Sequence, residues 1–356
     1  MLLRSSEGRR GWPVVALVAF GGLAGVLAGC DGMPWEDQDD GEDGKAALGA
    51  SPVTSCAGPA NEIPRDLACT GLYADFAARQ LAPSARHYTP GVTLWSDGYD
   101  TDRFIALPDN TKIDSSAIDD WKFPVGTKLW KEIRHGQRKV ETRFFWKVEQ
   151  TRWLQAAYVW SEDGTRAELG DGRDLIVDGK PYHVPKLAEC NSCHRGRKDK
   201  ALGFEAVGLA LPGATGVTLA TLAAEGRLEP PPPRTTLELP QPGPGVLHAN
   251  CGITCHNGSS NASAFSTGLR MRLGFDEVAS KPPAEWELVK STVGVDAKMP
   301  GWSGEVRVRP GAPEASLLVT VMKLRGEGQM PPLATDIVDA QGVAAVEAWI
   351  QGLPAP

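Results

Sequence analysis

The sequence has no excess of positive charge and no methionine over a long stretch. Its 356 residues include 37 Lys and Arg against 44 Asp and Glu, so the formal net charge at pH 7 is −7. Proteins that bind nucleic acid usually carry a clustered basic surface, whereas this chain has only short basic runs. We therefore expect no nucleic-acid partner. No methionine occurs between Met33 and Met271, which excludes a thioether metal ligand from that stretch.

The N-terminus has the pattern of a bacterial export signal. Three arginines precede the apolar run WPVVALVAFGGLAGVLAG, which leads directly into Cys30. The letters LAGC that end at Cys30 resemble the lipobox of bacterial lipoproteins. We predict that residues 1–29 are a signal peptide and that Cys30 carries a lipid anchor. The alternative is an uncleaved membrane-spanning helix, because the run is about as long as the shortest spans.

Residues 30–52 are acidic and rich in small residues, and they hold too little apolar material to pack. This composition predicts a flexible tether between the anchor and the folded part. The expected location is the periplasm or the outer face of a bacterial membrane, with the membrane as a partner through the anchor. Such a compartment is oxidising.

The seven cysteines can all be assigned in an oxidising compartment. Cys30 is the predicted anchor. Cys56 and Cys69 enclose a proline-containing loop and no His follows either one, so we predict a disulfide, which would contribute about 3 kcal/mol in the loop-entropy model. The other four cysteines form two motifs, CNSCH at 190–194 and CGITCH at 251–256.

Residues 53–228 have the pattern of an antiparallel all-β domain. The segments 141–150, 152–160 and 174–184 are short and rich in aromatic and β-branched residues, and Asp-Gly pairs at 163–164 and 178–179 indicate turns. Six of the eleven tryptophans lie in this region, and we predict that most of them pack in a core.

A proline-rich stretch at 229–246 marks the clearest boundary, since four consecutive prolines favour a stiff linker. Residues 247–356 then show short amphipathic helical patterns. In the last of these, Asp339 is the predicted N-cap, and one face carries Val343, Val346, Trp349 and Ile350. The predicted fold is multidomain, with an N-terminal all-β antiparallel domain carrying the CxxCH segment, followed by a small all-α cytochrome c-like domain.

CNSCH has the residue types and spacing of a c-type haem attachment site. Two thiols form thioethers with the haem vinyl groups, and a helical turn brings His194 beneath the same porphyrin as an axial ligand. A redox dithiol, half of a zinc site and a plain disulfide are the alternatives. A dithiol usually occurs in a βαβ setting, which is absent here, and zinc needs a second matching pair. We predict a haem c held by Cys190, Cys193 and His194.

CGITCH has one more residue between its cysteines, and by itself it fits either a disulfide or a bulged attachment turn. The sequence that follows favours haem, because Met330 precedes two prolines and an amphipathic helix closes the chain. A thioether on a proline-stiffened loop can be held at iron with little further ordering. We predict attachment at Cys251 and Cys255, with His256 as proximal ligand and Met330 as distal ligand. Met299 is the reserve candidate.

The first haem needs a different distal ligand, because the preceding domain contains no methionine. The candidates are His87, His135, His183, a lysine, or no protein ligand at all. His183 is the first choice, since it lies shortly before the motif in KPYHVP. An open iron site would allow peroxide or small-ligand chemistry.

Several linked segments carry a resemblance to a known family. In chain order they are LWSDGYDTDRFIALP, WKFPVGTKLWKE, ETRFFW, YVWSEDGTRAEL and YHVPKLAECNSCHRG. Over about residues 65–210 they resemble an uncharacterised family of exported bacterial dihaem c-type cytochromes with a β-rich N-terminal region. CGITCH, VRPGAPEASLL and MPP resemble the cytochrome c domains attached to many bacterial lipoproteins. This resemblance implies that Cys251, Cys255, His256 and Met330 occupy attachment and axial positions. CxxxCH departs from the family's CxxCH, which leaves attachment of the second haem open.

Together these motifs predict a lipid-anchored periplasmic electron carrier with two covalently attached haem c groups and their iron. It would exchange single electrons with redox partner proteins. Two alternatives belong to other classes. One is a haem enzyme, such as a peroxidase or an oxidase component. The other is a haem-free surface lipoprotein, with disulfides at both motifs, that binds a glycan or a partner.

Overall fold

The computed structural model describes residue 56 and residues 61–354, which belong to one compact unit spanning residues 51–356. The predicted signal peptide, the anchor at Cys30 and the predicted tether lie outside the described residues. Within residues 61–354, no helix is both long and apolar enough to cross a membrane.

A seven-stranded antiparallel sheet forms the centre of the molecule, in the strand order β12-β3-β4-β6-β7-β8-β9. The strands in the described part of the chain are β1 Tyr73–Asp75, β2 Gln80–Leu81, β3 Arg86–Thr89, β4 Asp100–Ala106, β5 Ile113–Asp114, β6 Lys128–His135, β7 Arg138–Lys147, β8 Trp153–Trp160, β9 Ala167–Leu169, β10 Asp174–Val177, β11 Lys180–His183, β12 Thr215–Gly216 and β13 Leu228–Glu229. The segments predicted as strands at 141–150, 152–160 and 174–184 are therefore confirmed.

Alternation along the central strands divides the sheet into two buried faces. One face presents Phe104, Phe144 and Tyr158, which pack with Leu67 and Leu72 from the N-terminal segment. The opposite face carries Ile105, Leu129, Phe145 and Trp153, and the helices pack against it. We call this second surface the helix-covered face.

The helices are short and follow the sheet in the chain. They are α1 Leu187–His194, α2 Ala206–Ala210, α3 Leu219–Ala224, α4 Gly243–Leu247, α5 Phe275–Ser280, α6 Glu287–Thr292, α7 Leu317–Lys323 and α8 Ala340–Gln351. The carboxylate of Asp339 accepts the Gly342 N–H at 2.8 Å, which confirms the predicted N-cap of α8. The four apolar residues predicted on one face of α8 are all buried.

The predicted fold class is wrong, because no small all-α cytochrome c-like domain occurs in residues 61–354. The C-terminal part packs on the central sheet, so that Ile105 and Phe145 share one core with Leu273 and Trp349. Polar contacts add to this junction, including the Phe275 N–H to Asp119 Oδ1 at 2.9 Å. An amphipathic pattern predicts which residues are buried, but not which surface buries them.

The proline-rich segment predicted as a linker also lies against this core. Leu237 is buried, and its N–H donates to the Ala210 carbonyl at 2.9 Å. Glu229 at the start of the segment pairs with Asp114 in a short parallel ladder between β13 and β5. These contacts join the segment to the β-rich part of the chain.

Cys56 and Cys69 form a disulfide, as predicted, with their Cα atoms 5.2 Å apart. Cys69 ends a short 3-10 helix at Leu67–Cys69, whose first residue is fully buried beneath the sheet. The disulfide therefore joins Cys56 to the segment that packs under the sheet with Phe104 and Phe144.

Candidate haem-binding site

The CNSCH motif ends helix α1, which lies over the helix-covered face. The Glu189 carboxylate accepts the Lys186 N–H at 2.6 Å and caps the first turn. The helical turn places Cys190 and Cys193 three residues apart on neighbouring positions. Asn191 lies between the two cysteines and accepts a hydrogen bond at 3.0 Å from Gln155 on β8. This contact fixes the helix to the sheet.

The side chain of His194 is held in one orientation. Its ring stacks on Phe145 with centroids 4.3 Å apart, and Nδ1 lies 2.6 Å from the Lys200 carbonyl oxygen. A carbonyl can only accept, so Nδ1 carries the proton and Nε2 keeps its lone pair. Burial, reinforced by the positive charges of Arg143 and Lys200, lowers the pKa of His194 to about 4. A neutral imidazole whose other nitrogen donates to a carbonyl has the form that metal-ligating histidines take.

His194 lines a cavity between the sheet and the two cysteine motifs. Its volume is about 100 Å³, which is below the about 300–1,000 Å³ that is usual for ligand cavities. Most of its lining is apolar and includes Tyr88, Leu94, Leu129, Phe145 and Ile253. The cavity thus combines a mostly apolar lining with one neutral imidazole.

The four motif cysteines are free thiols, whereas Cys56 and Cys69 are bonded. Burial raises the pKa of Cys190 and Cys193, and it raises that of Cys251 to about 12. Redox-active dithiols need the opposite, a thiol whose pKa is lowered. These thiols are therefore poorly suited to disulfide exchange.

The extra residue in CGITCH is absorbed by a π-helical turn at His248–Gly252. The N–H of Ile253 donates to the His248 carbonyl at 2.9 Å, and the N–H of His256 donates to the Cys251 carbonyl at 2.8 Å, each five residues back. A π-turn holds one residue more than an α-turn, and such turns often mark functional positions. Cys251 and Cys255 can thus share one side of the wider turn.

The ring of His256 is largely buried, and its Nδ1 has no hydrogen-bond partner within residues 61–354. Burial, together with the charges of Arg307 and Arg270, lowers the pKa of His256 to about 4. A buried ring nitrogen without a partner is costly for an ordinary histidine. Its neutral form is suited to binding a metal.

Each motif contacts the segment that follows the other motif. The Ser263 hydroxyl donates to the Ser192 carbonyl at 3.0 Å, and Arg195 Nη2 donates to that hydroxyl at 3.1 Å. Gly196 packs so closely on the Thr254 carbonyl that an added Cβ would lie 2.3 Å from its oxygen. Two groups attached at these motifs would be neighbours.

His183 lies away from this cavity lining, on the exposed hairpin β10–β11. Its Nδ1 is 2.7 Å from Asp174 and its Nε2 is 2.9 Å from Glu189, so carboxylates engage both ring nitrogens. These two hydrogen bonds raise its pKa. In this arrangement no ring nitrogen of His183 is free for iron. His87 and His135 are also exposed, and His135 contacts Asp178.

The Met330 loop docks beside the second motif. Trp95 links the two, because its N–H donates to Asn250 Oδ1 at 2.7 Å and its indole N–H donates to the Ile337 carbonyl at 3.0 Å. Met330 is half-buried, and its N–H donates to the Val321 carbonyl at 2.9 Å. Met299, the reserve candidate, is also half-buried, in the segment between α6 and α7.

Sequence reasoning missed the charged residues on the helix-covered face. Arg103, Lys131 and Arg143 lie opposite one another on β4, β6 and β7, and all three line the cavity. It also missed His248, a buried residue whose Nε2 lies 3.3 Å from Glu205. The alternation of the strands could have indicated that these cations face inward, but only the strand register reveals that they are adjacent.

No protein-family model, curated protein or solved structure is significantly similar to this chain. Among residue 56 and residues 61–354, no three or more His, Cys, Asp or Glu side chains cluster as a metal site made of these residue types alone.

Proposed function

We propose that the protein is a dihaem c-type cytochrome that carries single electrons in the bacterial periplasm. One observation carries the proposal. Helix α1 has two free thiols and ends in a neutral His194, whose Nδ1 donates a hydrogen bond to the Lys200 carbonyl. The adjacent cavity supports the same function through its mostly apolar lining. Haem c would supply reversible cycling between ferric and ferrous iron.

The chain's own residues would hold, orient and enclose the two groups. Cys190 and Cys193 would attach the first haem, and Cys251 and Cys255 the second. His194 and His256 are the proposed proximal ligands. Phe145 and the Lys200 carbonyl restrain the His194 ring from two sides, which limits its rotation.

Proximity of the motifs supports electron exchange within one chain. Ser192, Arg195 and Ser263 connect the first motif to the segment that follows the second. We further propose Met330 as a distal ligand of the second haem, because Trp95 holds its loop next to that motif. The lipid anchor at Cys30 and the redox partner proteins are part of the same proposal and rest on the sequence.

The test is the number of covalent haems per chain. We expect two, measured by intact mass and pyridine haemochrome, after production of the full chain with a haem c maturation system. The double variant C190A/C193A should lose one haem, and C251A/C255A should lose the other. The matched control C56A/C69A removes a disulfide and should keep both haems.

A chain that carries no covalent haem under these conditions would contradict the proposal. It would favour a haem-free surface lipoprotein. One haem only, lost in C190A/C193A and kept in C251A/C255A, would restrict attachment to the first motif.

A second function, small-ligand chemistry at the first haem, is supported by the composition of the cavity. Its lining includes no histidine other than His194 and no methionine, and both nitrogens of His183 are engaged elsewhere. The two lysines of the lining are also engaged, Lys131 with the Ser96 hydroxyl and Lys200 with Asn191 Oδ1. An iron site without a sixth protein ligand would bind peroxide or another small molecule. A high-spin signal that cyanide removes would favour this haem-enzyme function, and fully low-spin spectra would exclude it.

A further inference from the structure

Three cations stand in one row across the helix-covered face. Arg103 on β4 is the cross-strand partner of Lys131 on β6, and Lys131 is the partner of Arg143 on β7. Directly opposed residues in antiparallel strands have Cβ atoms about 4.5–5.5 Å apart, and like charges there are destabilising. All three side chains line the cavity that contains His194.

Within residues 61–354, only one cation of the row has a carboxylate partner. Arg143 donates to both oxygens of the fully buried Glu141, at 2.8 and 3.1 Å. Arg103 makes one hydrogen bond, from Nη1 to the Thr101 hydroxyl at 2.9 Å. Lys131 likewise donates to a neutral group, the Ser96 hydroxyl, at 2.7 Å.

Arg103 has an unused hydrogen-bond donor in an almost fully buried position. Its side chain belongs to a residue only 5% exposed, and Nη2 is buried without a hydrogen-bond partner within the described residues. A buried guanidinium without a counter-charge is costly, and its planar donors match a carboxylate. The cavity is therefore built to take a negatively charged group.

We propose that Arg103 and Lys131 together bind a carboxylate in the cavity beside His194. Two sources share this chemistry. One is a propionate of the haem attached at Cys190 and Cys193, and this source rests on the proposed function. The other is a free small carboxylate. Arg143 is already neutralised by Glu141 and would border the site without binding the ligand.

The experiment compares two forms of the full chain, one loaded with haem and one with C190A/C193A, which cannot attach the first haem. The variants are R103M and K131M in each form. The matched control is R152M, which removes one positive charge from an exposed turn where Arg152 pairs with Glu149. The probe is acetate, titrated by calorimetry, with thermal unfolding and reduction potential as further readouts.

In the C190A/C193A form we expect acetate to bind and to raise the unfolding temperature. R103M should weaken acetate binding by about tenfold or more, because hydrogen bonds to charged groups contribute about 1.5–3 kcal/mol each. Without acetate, R103M should raise the unfolding temperature of this form, since it removes an uncompensated buried charge. R152M should do neither.

In the haem-loaded form R103M should have the opposite effect on the unfolding temperature. R103M and K131M should lower the unfolding temperature and the reduction potential of one haem, because they remove positive charge beside it. If this form no longer binds acetate, the propionate is the source. If it still binds acetate in a manner that requires Arg103, the carboxylate is a free one.

The proposal is overturned if acetate binds in neither form, or if R103M and R152M have equal effects throughout. Failure of the proposed function is a separate result. A chain that attaches no haem would remove the propionate source, while acetate binding that depends on Arg103 would still support the carboxylate site.

Discussion

Lys147 and Asp199 form an ion pair that is almost wholly buried, with side-chain exposures of 1% and 8%. Lys147 Nζ lies 2.7 Å from each carboxylate oxygen, and the indole N–H of Trp153 also donates to Asp199 at 2.9 Å. Asp199 comes five residues after His194. The pair therefore fastens the chain that follows the first motif to the end of β7.

D199N should strongly destabilise the protein, because it leaves the Lys147 ammonium buried without a counter-charge. We expect a loss of about 3–5 kcal/mol in the free energy of unfolding, measured by denaturant unfolding. The control E149Q breaks an exposed pair with Arg152 and should cost less than about 1 kcal/mol. Equal losses in the two variants would contradict this role. The double variant K147M/D199N should recover part of the stability, since no charge is then stranded.

Glu205 makes the stability of the fold depend on pH. It lies at the junction between the sheet and the C-terminal part of the chain. Burial alone would raise the pKa of this carboxyl. The contact with His248, the charge of Arg197 and the backbone N–H groups at the start of α2 outweigh burial and lower the pKa to about 2. Because the folded-state pKa lies below the unfolded value, this carboxylate stabilises the fold above pH 4.5.

The stabilisation from Glu205 should disappear as the pH falls from 4.5 to 2. The difference between 4.5 and about 2 corresponds to roughly 3 kcal/mol. E205Q should therefore be less stable than the parent at pH 7 and show a shallower fall between pH 4.5 and 2, measured by denaturant unfolding across this range. The control E314Q removes an exposed carboxylate and should follow the parent curve. If the free energy of unfolding of E205Q follows the same pH curve as that of the parent, this role for Glu205 is ruled out.

At the scale of elements, two glycines allow close backbone packing around the cysteine motifs. Gly196 follows α1 and touches the Thr254 carbonyl. Gly252 in the π-turn packs on backbone atoms of Met271 and Arg272, where an added Cβ would lie 2.4–2.5 Å away. Neither position allows a side chain without movement of the backbone.

G196A should push the two motifs apart. Overpacking of this kind costs about 1–3 kcal/mol, so we expect a lower unfolding temperature in a thermal melt. G258A is the matched control, because Gly258 lies near the second motif and an added Cβ would meet nothing within 4 Å. A G196A variant as stable as G258A would show that the motifs do not require this contact.

At the scale of the whole molecule, one hydrophobic core joins the sheet to the C-terminal helices. We expect residues 247–356 alone to remain unfolded, because Leu247, Met271 and Leu273 would lose the surface that buries them. Circular dichroism and proton NMR of this fragment provide the test. The full chain should unfold in one calorimetric transition. A fragment that melts cooperatively, or two transitions in the full chain, would contradict a shared core.

Local features were predictable because they depend on residues close in the chain. The strands β7 and β8 follow from aromatic and β-branched runs, and the hairpin β10–β11 turns at Asp178–Gly179, both with positive φ. The α8 helix follows from its apolar spacing and from Asp339. The disulfide follows from the two cysteines that no His accompanies. The predicted domain architecture was wrong, because helix patterns do not specify a packing partner.

The sequence by itself determined the spacing of the two cysteine motifs, the long strands of the sheet and the cap of the last helix, since each depends on residue type and short-range pattern. Only the tertiary structure decided that the two motifs are neighbours, that a π-turn absorbs the extra residue of CGITCH, and that Arg103 and Lys131 face one cavity. These arrangements depend on strand register and on packing between residues far apart in the chain, which no local pattern encodes.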